Sequence, residues 1–373
     1  MKNPRLEVDL CKIRHNAQTL AGRLTPRGLG ITAVTKAVCG NPAIARAMLE
    51  GGAVGLAEAR LRNVRRLREA GLTCAVTLIR TPMLSEAAEV VRLCETSFNS
   101  DLRVISALSA ESCPRRAAHG IILMVEMGDL REGILPEELG ALALRVRALP
   151  GVVLQGIGAN FACFGGQAPE PAIMMALSDI VVETERTCGV ILQTVSGGNS
   201  ANLPWAMGAT PTGRITDLRL GEAILLGVEP VSGDRIAGLH TDAITLVAEV
   251  IEAGFKSLPS RAAKATASGR RIRPSRTTRL ILALGVQDTD VQGLVMPVGT
   301  TFVGATSDHL VVVTQNALPR PGGEMRFQLN YSALMRAMAA PDIETVLRCD
   351  RPPTDASYAV ADPVLAQHRH HQY

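Results

Sequence analysis

Short apolar, β-branched runs alternate with helix-period runs along the first 230 residues. Leu6 to Leu10 reads as a strand ending near Asp9, after which Leu10, Ile13, Ala17 and Leu20 recur along one helix face. Gly30 to Lys36 is a second strand, followed by a helix from Pro42 to Glu50, a short run Ala53 to Leu56 and a basic helix Glu58 to Ala70. Further strands fall at Ala75 to Ile79, Thr96 to Phe98, Ile121 to Glu126, Val152 to Ile157, Ile191 to Val195 and around Leu218. Helices separate them over Ser85 to Cys94, Leu102 to Ala110, Pro136 to Pro150 and Pro171 to Thr187, with another after Ser200. About eight strand–helix units in this length predict a (β/α)8 barrel over residues 1–230.

Beyond Pro230 the rhythm changes. Thr245 to Ile251, Leu280 to Leu284, Leu294 to Met296, Thr301 to Val303, Leu310 to Val313 and Met325 to Leu329 are short β-type segments broken by Gly, Pro and Asp turns. An all-β domain is predicted for residues 231–345, with a flexible tail over 346–373 that ends in the cluster His368, Arg369, His370 and His371. Lys256 to Arg279 carries eight Lys or Arg and no acid, and reads as a solvated loop.

Composition narrows the class. A 373-residue chain that is 47% hydrophobic can fill two cores. A net charge of +4 implies neither nucleic acid nor an anionic membrane as partner. Eight cysteines stand singly, with no C-x-x-C pair, which fits neither a disulfide framework nor a zinc site and predicts a reducing, cytoplasmic setting. Asp9, Lys12 and Arg14 interrupt the N-terminus before any signal-like apolar run develops.

Candidate chemistry centres on Gly30 to Gly40, where Lys36 is the one charge in an apolar strand. A lysine at the C-terminal end of a barrel strand sits where barrels keep their active sites, and a desolvated amine is a Schiff-base nucleophile. Taken alone, Lys36 fits a lysine snorkelling from a strand end better, and the surrounding motifs have to reverse that reading. Ser196 to Ser200 follows a strand and precedes a helix, so bare amides and a hydroxyl are placed to cradle a phosphate. Leu218 to Ala223 repeats the theme, with Arg219 directed into the barrel mouth and Gly221 in the turn behind it. Two phosphate loops and an inward lysine suggest pyridoxal 5′-phosphate as cofactor.

These residues resemble the alanine racemase family of pyridoxal phosphate enzymes, and its ornithine racemase branch most closely. The resemblance rests on Val34–Lys36, Arg80–Leu84, Met127–Gly133, Gly156–Asn160, Ser196–Ser200, Leu218–Glu222, Gly285–Asp290, Ser307–His309 and Asn330–Tyr331, in that order along the chain. It implies that Lys36 bonds the cofactor and serves as one proton-transfer base. Ser200, the amides of Gly221 and Glu222, and Tyr331 match phosphate ligands. Arg219 matches the arginine facing the pyridine nitrogen, and Asn160 stands beside the ring where alanine racemases carry histidine. Arg131 matches a residue directed to the substrate carboxylate or the cofactor, its alternative role being a salt bridge to Asp129 or Glu132.

An arginine only donates, so a ring nitrogen facing Arg219 stays unprotonated and the cofactor becomes a weaker electron sink. That favours brief proton removal and return at Cα over transamination or elimination. Two-base racemisation needs a second group on the opposite face. Alanine racemases supply a partner-subunit tyrosine, which would fall near Phe255 to Pro259, and none is there. Asp288, Asp290, Asp308 and His309 are the candidates, with His309 preferred for its pKa of about 6.5.

The resemblance implies a diamino acid, ornithine or lysine, whose distal amine would meet Glu58, Asp288, Asp290 or Glu222, with Asp308 a further substrate-binding candidate; alanine or serine are alternatives. It also implies a homodimer in which each β domain completes the partner's site. The competing classes are a pyridoxal phosphate homeostasis protein without robust catalysis and a cofactor-free lysine aldolase.

Overall fold

The computed structural model describes residues 4–115, 118–164, 166–254, 278–315 and 320–349. Eight parallel strands close a barrel: β2 (Gly30–Val34), β3 (Gly55–Glu58), β4 (Val76–Leu78), β5 (Thr96–Asn99), β6 (His119–Val125), β7 (Val152–Ala159), β8 (Thr194–Ser196) and β9 (Asp217–Leu220). Helices cover it outside: α1 (Leu10–Leu24), α2 (Pro42–Glu50), α3 (Leu61–Glu69), α4 (Ala87–Leu93), α5 (Leu102–Ser112), α6 (Pro136–Arg147), α7 (Pro171–Cys188), α8 (Leu203–Ala206) and α9 (Glu222–Leu226). Their apolar stripes, such as Ile13, Ala17, Leu20 and Leu24 of α1, pack on the strands in one core. Asn41 starts α2 by accepting hydrogen bonds from the amides of Ala43 and Ile44, with Pro42 at the first helical position.

The first strand, β1 (Arg5–Asp9), stands outside the barrel that the sequence pattern placed it in. It pairs antiparallel with β10 (Ile244–Gly254) and parallel with β16 (Glu344–Arg348). Its apolar residues Leu6 and Val8 are buried, while Arg5 and Glu7 find partners hundreds of residues away. The Arg5 guanidinium reaches Glu7 and Glu324 at 2.6 Å, and Glu7 also accepts from Arg326 at 2.6 Å. A charge pair on a buried strand face needs such a network, and only the C-terminal sheet supplies it.

That sheet contains β11 (Thr278–Ala283), β12 (Leu294–Val295), β13 (Thr300–Ala305), β14 (His309–Thr314) and β15 (Glu324–Leu329), ordered β12-β15-β10-β11-β14-β13. Every pairing along this path is antiparallel. The domain also holds a helix that the strand pattern did not show, α10 (Tyr331–Ala339), capped by Asn330 accepting from the Ala333 amide at 2.9 Å. Strand β16 runs to Arg348, past residue 345, where the β domain was expected to end. The basic run 256–277 and the histidine cluster near the C-terminus lie outside the described residues. Among the described residues, no helix is long and apolar enough to cross a membrane.

Candidate active site

Lys36 lies two residues beyond β2, where it opens a single 3-10 turn rather than ending the strand. The strand stops because Thr35 turns away: its hydroxyl donates to Glu58 Oε1 at 2.8 Å, and both residues are fully buried. The turn closes through Gly40, with φ +63°, where a Cβ would sit 2.8 Å from the Cβ of Asn63. Only glycine tolerates both the left-handed backbone and that contact. Helix α10 packs on this turn, so the C-terminal domain roofs the lysine of its own chain.

Solvent reaches Lys36 from the barrel mouth, yet protein crowds its amine. This desolvation pushes its pKa below the ordinary lysine value; Cys163 and Glu58 act upward, Arg131 and Arg219 downward. A barrel-mouth amine with a depressed pKa is primed as nucleophile and base.

Around it runs a continuous polar chain. Arg131 grips Glu132 through Nε at 2.7 Å and a terminal nitrogen at 2.8 Å, the salt bridge anticipated as its alternative role, with Asp129 farther off at 3.9 Å. Burial opposes the Arg131 charge, but the Glu132 pairing prevails and raises its pKa. Asn160 donates to Glu132 at 3.1 Å and accepts from Arg219 at 2.8 Å. Arg219 continues to Ser196 Oγ at 2.7 Å, and Ser196 donates to Asp217 at 2.5 Å. Thr32 also donates to Asp217, at 2.7 Å. The Arg219 guanidinium lies 4.9 Å above the Phe98 ring. Burial pulls its pKa down to about 10, with Asp217 opposing. Burial likewise raises the pKa of Asp217.

The two glycine turns converge at the same mouth. Ser200 Oγ accepts from the Ala223 amide at 3.2 Å, joining the loop after β8 to the first turn of α9. A Cβ at Gly221 would meet Val34 at 3.1 Å, and one at Gly198, with φ +115°, would collide with Asn202. Tyr331 on α10 is partly buried here, its hydroxyl pKa raised by burial and by Glu222 and Glu58. Glu222 itself is pushed up to about 7, first by burial and then by Glu229.

This shift sets a stability prediction. A folded pKa above the ordinary 4.5 means that the native state holds its proton more tightly than the unfolded chain. The associated stability is complete at acid pH and is lost as pH rises through about 7. For this half-buried group it amounts to about 1–2 kcal/mol. Urea unfolding of E222Q without ligand should lose that slope between these values.

Lys36, Arg131, Asn160, Ser200, Arg219, Gly221, Glu222 and Tyr331 are thus brought to one mouth. Asp288, Asp308 and His309 are not. They sit together on the C-terminal domain, where burial and the neighbouring Asp342 and Asp308 raise the Asp288 pKa. His309 is exposed, its backbone amide donating to Thr306 Oγ1 at 3.2 Å. Among the described residues, no hydrogen bond joins these three to the Lys36 group. Glu58, a candidate for a substrate amine, spends its oxygens on Thr35, Asn63 and the Ala59 amide. Asp217 and Cys163 were not anticipated. An acid two residues before Arg219 on the same strand face was the available signal for Asp217.

An eight-stranded barrel with a lysine at its C-terminal mouth, two glycine turns beside it and an appended antiparallel domain places this candidate site where barrel enzymes keep theirs. Residues 8–230 match the family model "Alanine racemase, N-terminal domain", and the chain belongs to that family. It is 36% identical to a lysine racemase of Thermotoga maritima over 93% of this chain and 99% of the relative. It is 33% identical to an ornithine racemase of Acetoanaerobium sticklandii over 92% and 99%. The fold is shared with an alanine racemase from Streptomyces coelicolor (TM-score 0.72, 20% identity, 92% and 97% coverage). It is also shared with a D-threonine aldolase from Filomicrobium marinum (TM-score 0.71, 17% identity, 90% and 88% coverage).

Proposed function

We propose that this chain is a pyridoxal 5′-phosphate-dependent amino-acid racemase acting on ornithine or lysine, working in the cytoplasm as a homodimer. The observation that carries the reading is the convergence of the Lys36 amine, buried Arg219 and the Ser200–Gly221 turns on one barrel mouth. That donor set fits a phosphorylated pyridine aldehyde end to end. Ser200, the amides of Gly221 and Glu222, and the Tyr331 hydroxyl would hold the phosphate; Asn160 and Arg219 would flank the ring; and Lys36 would take the aldehyde. Bound there, the cofactor would withdraw electrons and acidify the substrate Cα–H.

The residues of the chain do the rest. Arg131, oriented by Glu132, clamps the substrate carboxylate. The Lys36 amine, its pKa already lowered, takes or returns the proton on one face of Cα. Arg219, which can only donate, would face the ring nitrogen and limit the electron withdrawal, keeping the outcome at racemisation. His309 of the dimer mate serves the opposite face, with Asp288 and Asp308 meeting the distal amine. Identity to lysine and ornithine racemases along nearly the whole chain, C-terminal domain included, supports racemisation of a diamino acid over a homeostasis role.

A panel of L- and D-amino acids in deuterated water tests this. Exchange of the α-proton and loss of optical activity should be fastest for ornithine or lysine, with alanine and serine at least about tenfold slower. No exchange with any of them would favour the homeostasis protein.

A further inference from the structure

Eight cysteines that look scattered in sequence include two that meet in space. Cys11, in the first turn of α1, and Cys349, one residue past β16, lie with their sulfurs 3.2 Å apart although 338 positions separate them. The topology explains the encounter. Strand β1 leads directly into α1, and β16 runs parallel beside β1 with Asp9 opposite Arg348, so the residues that follow each strand emerge together.

We propose that Cys11 and Cys349 form a redox-responsive pair whose disulfide fastens the last strand of the C-terminal sheet to the first helix of the barrel. The sulfurs need to close by only about 1 Å to reach the bond length of about 2.05 Å. Cys349 is exposed and open to an oxidant, whereas Cys11 is partly buried. The Arg14 guanidinium donates to the Cys11 sulfur at 4.0 Å.

The oxidant is a low-molecular-weight disulfide. The Cys349 thiolate attacks one of its sulfurs, forming a mixed disulfide and expelling one thiolate. The Cys11 thiolate then attacks the Cys349 sulfur and expels the second. Two protein thiols become one disulfide, the oxidant is reduced to two small thiols, and the two protons end on them.

The bond would hold a vulnerable place. Among the described residues β16 has β1 as its only strand partner, so its free edge is the natural starting point for fraying. Closing so long a loop also restricts the unfolded chain far more than the folded one.

The test treats the native protein with oxidised glutathione and compares it with the C349S and C113S variants. Intact mass should fall by two hydrogen atoms, and peptide mapping should join the Cys11 and Cys349 peptides. The melting temperature should rise by about 5 °C or more and return on reduction. C349S should lose the linkage, while C113S, altered at another exposed cysteine, should keep it. Separate glutathione adducts without a linkage, a bond between any other pair, or an unchanged melting temperature in the linked protein would overturn the proposal.

Discussion

The K36A variant should lose about 10⁴-fold or more of the racemisation rate while melting within a few degrees of the wild type. Lys36 is open to the barrel mouth, packs no apolar core and makes no structural hydrogen bond among the described residues, so its truncation leaves the fold intact. Its amine is the basic group that burial and two arginines hold below the ordinary lysine pKa, and a positioned base supplies up to about 10⁴-fold. On the proposed function, loss of the attachment point for the cofactor adds to that deficit. Solvent-deuterium exchange at Cα measures both directions of reaction in one assay. A variant that retains more than about a tenth of the wild-type rate would remove Lys36 from the mechanism.

R219A should behave differently, losing stability and activity together. Arg219 is 4% exposed and bonds Ser196, Asn160 and the Ala159 carbonyl, with Asp217 the acid that most supports its charge. Truncation leaves three acceptors without their charged donor and Asp217 without an opposing charge nearby, at a cost of about 3–5 kcal/mol. Asp217, already pushed upward by burial, would take a proton to escape that penalty. Its raised folded pKa means that the stability is present at acid pH and is lost as pH climbs through that pKa. R219A should therefore lie closest to the wild type in acid and fall away toward neutral pH in urea unfolding. A pH-independent loss would mean that Asp217 is not the partner that matters.

Much of this architecture is written in local patterns. The strand and helix alternation from Gly30 to Leu220 shows because each barrel strand is a short apolar run bounded by turns, and each helix presents one stripe. The place of β1 does not show, because the partners of Arg5 and Glu7 are Glu324, Arg326 and Arg348 near the other end of the chain. Pairing at that separation leaves no local trace.

The site divides along the same line. Lys36, Ser200, Gly221 and Arg219 stand at strand ends beside glycine turns, which makes them legible one at a time. That Glu132 ties Arg131 to Asn160, or that Glu58 is used up by Thr35 and Asn63, depends on which loops the closed barrel brings face to face. Helix α10 is a related case. The sequence marks Asn330 and Tyr331, but that their helix roofs the Lys36 turn follows only from how the C-terminal domain folds back.

The chain has five lysines, and Lys36 alone lies within the barrel span from β2 to β9. Supplying the protein with pyridoxal 5′-phosphate, reducing it with borohydride and mapping the peptides therefore puts the central claim to a direct trial. A pyridoxyl group on Lys36, in one-to-one ratio with the chain, is the predicted result. A protein that emerges unlabelled, or labelled at Lys2, Lys12, Lys256 or Lys264 instead, would contradict it.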